Sequence, residues 1–210
     1  MSSFDLNCRR CDRLAHFLDD VKAEHPDYFA KPVPPFGAKK AQLLIVGLAP
    51  GMHGANRTGR PFTGDHAGIL LYQTLYKYGF ASKPESISAD DNLKLKNCRI
   101  TNAVKCLPPQ NKPLGSEVNQ CTIYLTEELQ GLRKGSVILA LGSLAHNAIL
   151  KALGLKLSTM KFGHNVEHAL DNGCILLDSY HCSRYNTQTK RLTEKMFCEV
   201  FARAKKILSK

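Results

Sequence analysis

The sequence predicts an α/β fold, a three-layer α/β/α sandwich around a mainly parallel, four-stranded central sheet. Three observations carry that expectation. Four short apolar runs, Gln42 to Leu48, Cys98 to Val104, Ser136 to Leu141 and Cys174 to Asp178, have the length and composition of buried strands. Segments with helical apolar spacing lie between and after them. Strand, loop and helix then alternate along the chain, the order expected of a layered parallel sheet.

The first element is a helix. Leu14, Phe17, Leu18 and Val21 recur at i, i+3, i+4 and i+7, so the spacing predicts an amphipathic helix from Asp12 to about His25, stopped by Pro26. The Pro-rich passage Pro32 to Gly37 separates it from the first strand. After that strand, Asp65 to Gly79 returns to helical spacing. Ser116 to Leu132 places Val118, Cys121, Leu125, Leu129 and Leu132 on one helical face. The third strand ends in Gly142, and Ser143 is a cap for a helix that turns Ala145, Ala148, Ile149 and Ala152 inward. A polar stretch leads to the fourth strand, and a last helix runs from about Thr193 to Leu208. Ligands of open parallel sheets bind beyond the carboxyl ends of the strands, so the loops opening at Gly47, Asn102, Gly142 and Tyr180 are where chemistry is expected.

With 210 residues and 43% hydrophobic content, the chain can bury a sizeable core, and one domain over residues 1–210 is expected. The longest apolar runs fall far short of the roughly 18 to 20 residues that span a bilayer. Met1 to Asp12 has no apolar stretch of the signal-peptide kind, so a cytoplasmic, nucleoid-associated monomer with no membrane partner is expected. The net charge of +11, from 29 Lys plus Arg against 18 Asp plus Glu, favours polyanionic partners. By itself it does not separate DNA from RNA, anionic surfaces or phosphorylated small molecules.

Eight cysteines suit metal ligation or burial better than disulfides in a reducing compartment. Cys8 and Cys11 form a C-x2-C pair, and Cys106 and Cys121 flank a Pro- and Gly-containing loop that can fold back. Four thiolates suit tetrahedral zinc or a four-iron cluster; spacing alone leans to zinc. Cys98, Cys174, Cys182 and Cys198 sit among apolar neighbours and read as small buried hydrophobes.

The densest unusual segment is Gly47 to Gly68, with glycines at 47, 51, 54, 59, 64 and 68. It matches neither nucleotide-binding glycine motif, so its use is close backbone approach to a ligand. Asp65 precedes a helix and suits an N-cap. Asn102, amid apolar neighbours, offers an acceptor and a donor side by side; that pair reads a base edge or bonds nearby backbone. His181 opens a polar loop at a strand end, as a general acid, a neutral donor or a surface residue.

Three segments in order, GLAPGMHGANRTGRPFTGD, ITNAVKC and HCSRYNTQTKRLT, with the two cysteine pairs, resemble the type 5 uracil-DNA glycosylases from Cys8 to Thr193. Type 4 relatives carry an acidic residue where Leu48 stands, and the family pattern usually has Gly where Lys190 stands. The resemblance implies the uracil-DNA glycosylase fold and a monofunctional hydrolase that flips uracil, or other deaminated bases such as hypoxanthine, from preferably double-stranded DNA and cuts the glycosidic bond. It implies a 4Fe-4S cluster on Cys8, Cys11, Cys106 and Cys121, zinc being the alternative, bound at the N-terminal helix. Asp65 would activate water and stabilise the sugar cation, His181 the leaving base, and Phe62 and Asn102 would hold the base in a pocket lined by Gly47, Ala49 and Pro50. Arg60, Ser183, Arg184, Tyr185 and Asn186 would contact DNA. The competing reading is a noncatalytic Fe-S or zinc nucleic-acid-binding protein.

Overall fold

The computed structural model describes residues 4–209; Met1 to Ser3, part of the stretch read for a leader, and Lys210 lie outside them. Its frame is four parallel strands, β2 (Leu43–Gly47), β3 (Cys98–Asn102), β4 (Val137–Leu141) and β6 (Ile175–Ser179), nearly every residue of which is buried. Because successive strand residues point to opposite faces, β2 divides its side chains between two cores. Leu43 and Ile45 pack with Leu71, Leu75, Phe197 and Phe201. Leu44 and Val46 pack with Leu125, Leu129, Ala148 and Ile149. The first set belongs to helices α3 (His66–Lys77) and α7 (Glu194–Leu208), the second to α4 (Gly115–Gln130) and α5 (Ser143–Ala152), which completes a three-layer α/β/α sandwich.

Among the described residues the sheet has six strands rather than the four expected, in the order β1 (Phe36–Gly37), β3, β2, β4, β6, β5 (Glu167–Ala169). Both additions are short antiparallel edges: β1 pairs with β3, and β5 with β6. An edge strand pairs on one side only and needs no continuous apolar run, so neither the Pro-rich passage nor the polar stretch carried the strand signal. The helix after β4 also starts one step earlier than expected. Its N-cap is Gly142, at φ 96°, a left-handed conformation that suits glycine, and Ser143 is its first residue.

Helix α1 (Asp12–Glu24) lies outside this frame and buries Leu14, Leu18 and Val21 against Val104, Leu107 and Tyr124. The ion pair from Arg13 Nε to Glu117 Oε1, 2.7 Å, fastens it to α4. From β2 the chain crosses to β3 on one side and then returns to β4 on the other, so the carboxyl ends of these strands form the switch-point crevice of an open sheet.

Candidate active site at the carboxyl edge of the sheet

A cavity of about 550 Å³ opens at that crevice. Of the residues expected to act there, Ala49, Phe62, Asp65, Asn102, His181, Ser183, Arg184 and Asn186 all line it. They come from four separate stretches of the chain. The parallel register places Gly47 beside Asn102, so the loops after β2 and β3 leave the sheet together.

Gly47 and Pro50 are buried and do not line the cavity. Gly47 acts instead by what it lacks. A Cβ there would lie 2.4 Å from Asn102 Oδ1 and 2.7 Å from the Phe62 ring. Gly54 does the same for the carboxylate, since its Cβ would stand 2.6 Å from Asp65 Oδ2. The glycine density therefore lets the backbone pack directly under three polar or aromatic side chains.

Asp65 caps α3, its Oδ1 accepting from Gly68 N–H at 2.8 Å. Burial raises its carboxyl above the ordinary range, against the opposing pull of that amide and of the His66 charge. Burial also depresses His181 to about 4, so its imidazole is neutral at pH 7 and can donate one N–H. The Phe62 and His181 rings stand 6.0 Å apart. Asn102 is 4% exposed, and its Oδ1 has no hydrogen-bond partner among the described residues. A buried acceptor without a partner is a site awaiting a donor.

The polar loop folds into α6 (Arg184–Gln188), capped by Ser183. Tyr185 projects from it, 70% exposed, outside the cavity. Asn186 turns inward, donating from Nδ2 to the His181 carbonyl at 2.8 Å. Arg60 departs from expectation. It is 4% exposed, paired with Asp91 Oδ2 at 2.5 Å, bonded to the Ser88 carbonyl and to Thr63 Oγ1, and stacked over Phe36, so its guanidinium is unavailable to a DNA phosphate. The expected DNA contact is displaced by Asp91, 31 residues away in sequence, which folds back onto Arg60.

Leu144, Phe162, His66, Asn111 and Arg191 also line the cavity. Phe162 lies in an irregular stretch with no periodicity and gave no sequence signal; Arg191 belongs to the HCSRYNTQTKRLT segment, whose basic residues the resemblance sets near the pocket and wedge. It stacks over Tyr180, 4.9 Å from the ring centroid.

A second, small cavity is lined by Cys8, Cys11, Cys106 and Cys121 together. Cys8 and Cys11 precede α1, Cys106 follows β3 and Cys121 lies on α4. The donor set is all thiol, and Lys105 N–H points at Cys121 Sγ from 3.3 Å. Such a set can take a soft metal centre. The other four cysteines are buried apolar residues, Cys98 and Cys182 completely.

The family model of the uracil DNA glycosylase superfamily matches residues 34–205. The chain belongs to that superfamily. The type-5 uracil-DNA glycosylase of Thermus thermophilus is 46% identical over 205 residues, 95% of this chain and 93% of the relative. That of Pyrobaculum aerophilum is 43% identical over 95% of this chain and 88% of its own. A type-4 enzyme from Archaeoglobus fulgidus is 33% identical over 74% of this chain and 64% of its own. Within the superfamily the chain therefore falls with the type 5 group.

Proposed function

We propose that the protein excises uracil from DNA, hydrolysing the N-glycosidic bond of a nucleotide flipped into the 550 Å³ cavity. The observation that carries this reading is the unpartnered Asn102 Oδ1, with its amide nitrogen beside it. Uracil presents an N–H donor next to a carbonyl acceptor, the complement of an asparagine amide. Phe62, buried beside Asn102 across Gly47, offers a ring face on which the base stacks.

Cleavage develops positive charge on the sugar and negative charge on the base, and prearranged charges and dipoles stabilise both. The Asp65 carboxylate, held through one oxygen by Gly68, has the other to orient water and to face the sugar cation. The neutral His181 donates to the pyrimidine oxygen as the base leaves. No lysine lines the cavity among the described residues, which supports plain hydrolysis over Schiff-base chemistry. Tyr185 on α6 is placed to enter the duplex where the base has left, with Arg184 at the cavity rim. A partner of that kind is double-stranded DNA carrying deaminated bases. Asn186, bonded to His181, serves the wedge as a brace.

The four thiols fit a 4Fe-4S cluster. An all-thiol donor set drawn from three stretches of the chain around one small cavity suits such a cluster, with tetrahedral zinc as the alternative. When bound, the cluster would supply a structural tie. Cys8, Cys11, Cys106 and Cys121 would hold α1 to the loop that follows the Asn102 strand.

Incubation with a uracil-containing duplex, followed by alkali, tests the reading. Strand scission at the uracil is expected, with binding that weakens as salt rises. Intact strands despite salt-sensitive binding would leave a noncatalytic DNA-binding protein.

A further inference from the structure

The trio His146 on α5, His168 on β5 and Asp178 on β6 takes no part in the chemistry above, yet it is almost fully buried behind one wall of the cavity. Its hydrogen bonds can be counted. His146 Nδ1 stands 2.8 Å from Asp178 Oδ1, and His146 Nε2 stands 3.0 Å from the Met160 carbonyl oxygen. The other carboxylate oxygen accepts from Gly163 N–H and faces His168 Nε2, each at 3.3 Å. A neutral imidazole has one N–H. Facing a carboxylate on one side and a carbonyl on the other, it would set a bare nitrogen against an oxygen at one of the two contacts. The pair is therefore complete only with one further proton, as imidazolium and carboxylate. Burial pulls His146 toward neutrality, but the hydrogen bond and charge of Asp178 outweigh it and leave the imidazole above its ordinary value.

What this pair holds is the irregular segment between α5 and β5. Met160 and Gly163, its two points of attachment, flank Phe162. The Phe162 ring meets His146 edge-on at 5.8 Å and lines the cavity. Two residues further, His164 stacks on Tyr180 at 4.9 Å and accepts from the Tyr180 N–H at 3.1 Å; Tyr180 also lines the cavity and precedes His181. Asp178, two residues before Tyr180, is thus tied to the wall and to the strand end that delivers His181.

We propose that His146 and Asp178 are positioning residues for base excision, a proton-bearing pair that fixes the 160–164 segment so that Phe162 and Tyr180 form a rigid cavity wall beside His181. The proposal rests on the reading that the cavity receives the flipped base. The titratable groups facing His146 are Asp178 from β6 and His168 from β5; the loop contributes the Met160 carbonyl and the Phe162 ring. Loss of the proton at alkaline pH releases one of the two contacts and loosens the wall.

The experiment is steady-state excision on a uracil duplex from pH 5.5 to 9 with the full chain. Wild-type turnover, slowed roughly 100- to 1000-fold in Asp65→Asn, tests the reading of the site separately from the pair. With that in hand, His146→Gln is expected to raise KM about tenfold with kcat within about threefold, since misplacement of a supporting wall acts mainly on substrate engagement. The wild-type KM should rise with pH, and that of His146→Gln should not. Phe162→Ala should raise KM by a similar factor, and the double variant by no more than either alone. A KM for His146→Gln within twofold of wild type, or additive effects in the double variant, overturns the proposal. Should His146→Gln fail to fold, ring-nitrogen NMR of the wild type decides: two protonated nitrogens on His146 at pH 7 support the pair, one overturns it.

Discussion

Arg60 and Asp65 lie in the same glycine-rich motif, and the structure uses them in opposite ways. Arg60 is saturated: Asp91, Ser88 and Thr63 all bond its guanidinium, and Phe36 covers it. Asp91 is in turn held down at about 2; burial works against this, and the Arg60 hydrogen bond and the Leu93 and Ile87 amides prevail. Asp65 has one oxygen engaged in a cap and a carboxyl pushed up by burial. A charge whose partners are complete builds structure. One left partly unsatisfied in a cavity keeps free energy in reserve for a ligand, and the same holds for the acceptor of Asn102.

Replacing Arg60 should show the structural half of that contrast at its largest. Arg60→Met leaves the half-buried Asp91 without its cation and with only backbone amides to hold it, and removal of one partner from a buried pair typically costs about 3 to 5 kcal/mol. Urea denaturation should find a loss of that order, with kcat per folded molecule close to wild type. A large fall in kcat with unchanged stability would return Arg60 to the DNA face.

Asp65→Asn should give the mirror result. Removal of one electrostatic stabiliser slows the chemical step roughly 100- to 1000-fold. Asparagine keeps an acceptor for Gly68 N–H, so the α3 cap and the melting temperature should survive. Single-turnover excision and a thermal melt on the same preparation separate the two roles of this residue.

The pH dependence of stability sharpens the comparison further. The folded value of His181, about 4, lies below the ordinary 6.5, so between them the unfolded chain binds the extra proton. Stability carried by the neutral, buried imidazole is therefore complete above pH 6.5 and is lost as pH falls toward 4. Asp91 follows at lower pH, its contribution present above its ordinary 3.8 and lost as pH falls through about 2. His181→Gln should flatten the melting curve against pH between 6.5 and 4 and leave the more acidic limb in place.

These contrasts mark how far the sequence could be read. The four parallel strands were legible because burial on both faces forces an apolar run, as in Val137–Leu141. Phe36–Gly37 and Glu167–Ala169 were not, because an edge strand of two or three residues makes no such demand. At the site, motif resemblance gathered Phe62, Asp65, Asn102 and His181, which the structure places around one cavity. It could not tell Arg60 from Arg184, since the partner that buries Arg60 lies across a loop with no shared pattern. Phe162 was invisible for a related reason: its place on the wall is fixed by His146 and Asp178, three-dimensional neighbours from α5 and β6.

The smallest expected effect concerns Lys190, where the sequence resemblance leads one to expect glycine. It adopts φ 57°, a left-handed conformation that glycine enters without a Cβ penalty, and its side chain is exposed. A non-glycine residue thus holds a glycine-favouring conformation just after α6 and before Arg191, which covers Tyr180. Lys190→Gly should relieve the strain, worth about 1 kcal/mol before the greater flexibility of glycine in the unfolded chain offsets part of it. Thermal unfolding should therefore show a small rise. Affinity for a uracil duplex should fall slightly, and its dependence on the logarithm of salt should flatten by up to about one unit if the ammonium touches a phosphate. An unchanged salt slope with the same small stabilisation would make Lys190 a tolerated substitution in a turn rather than a DNA contact.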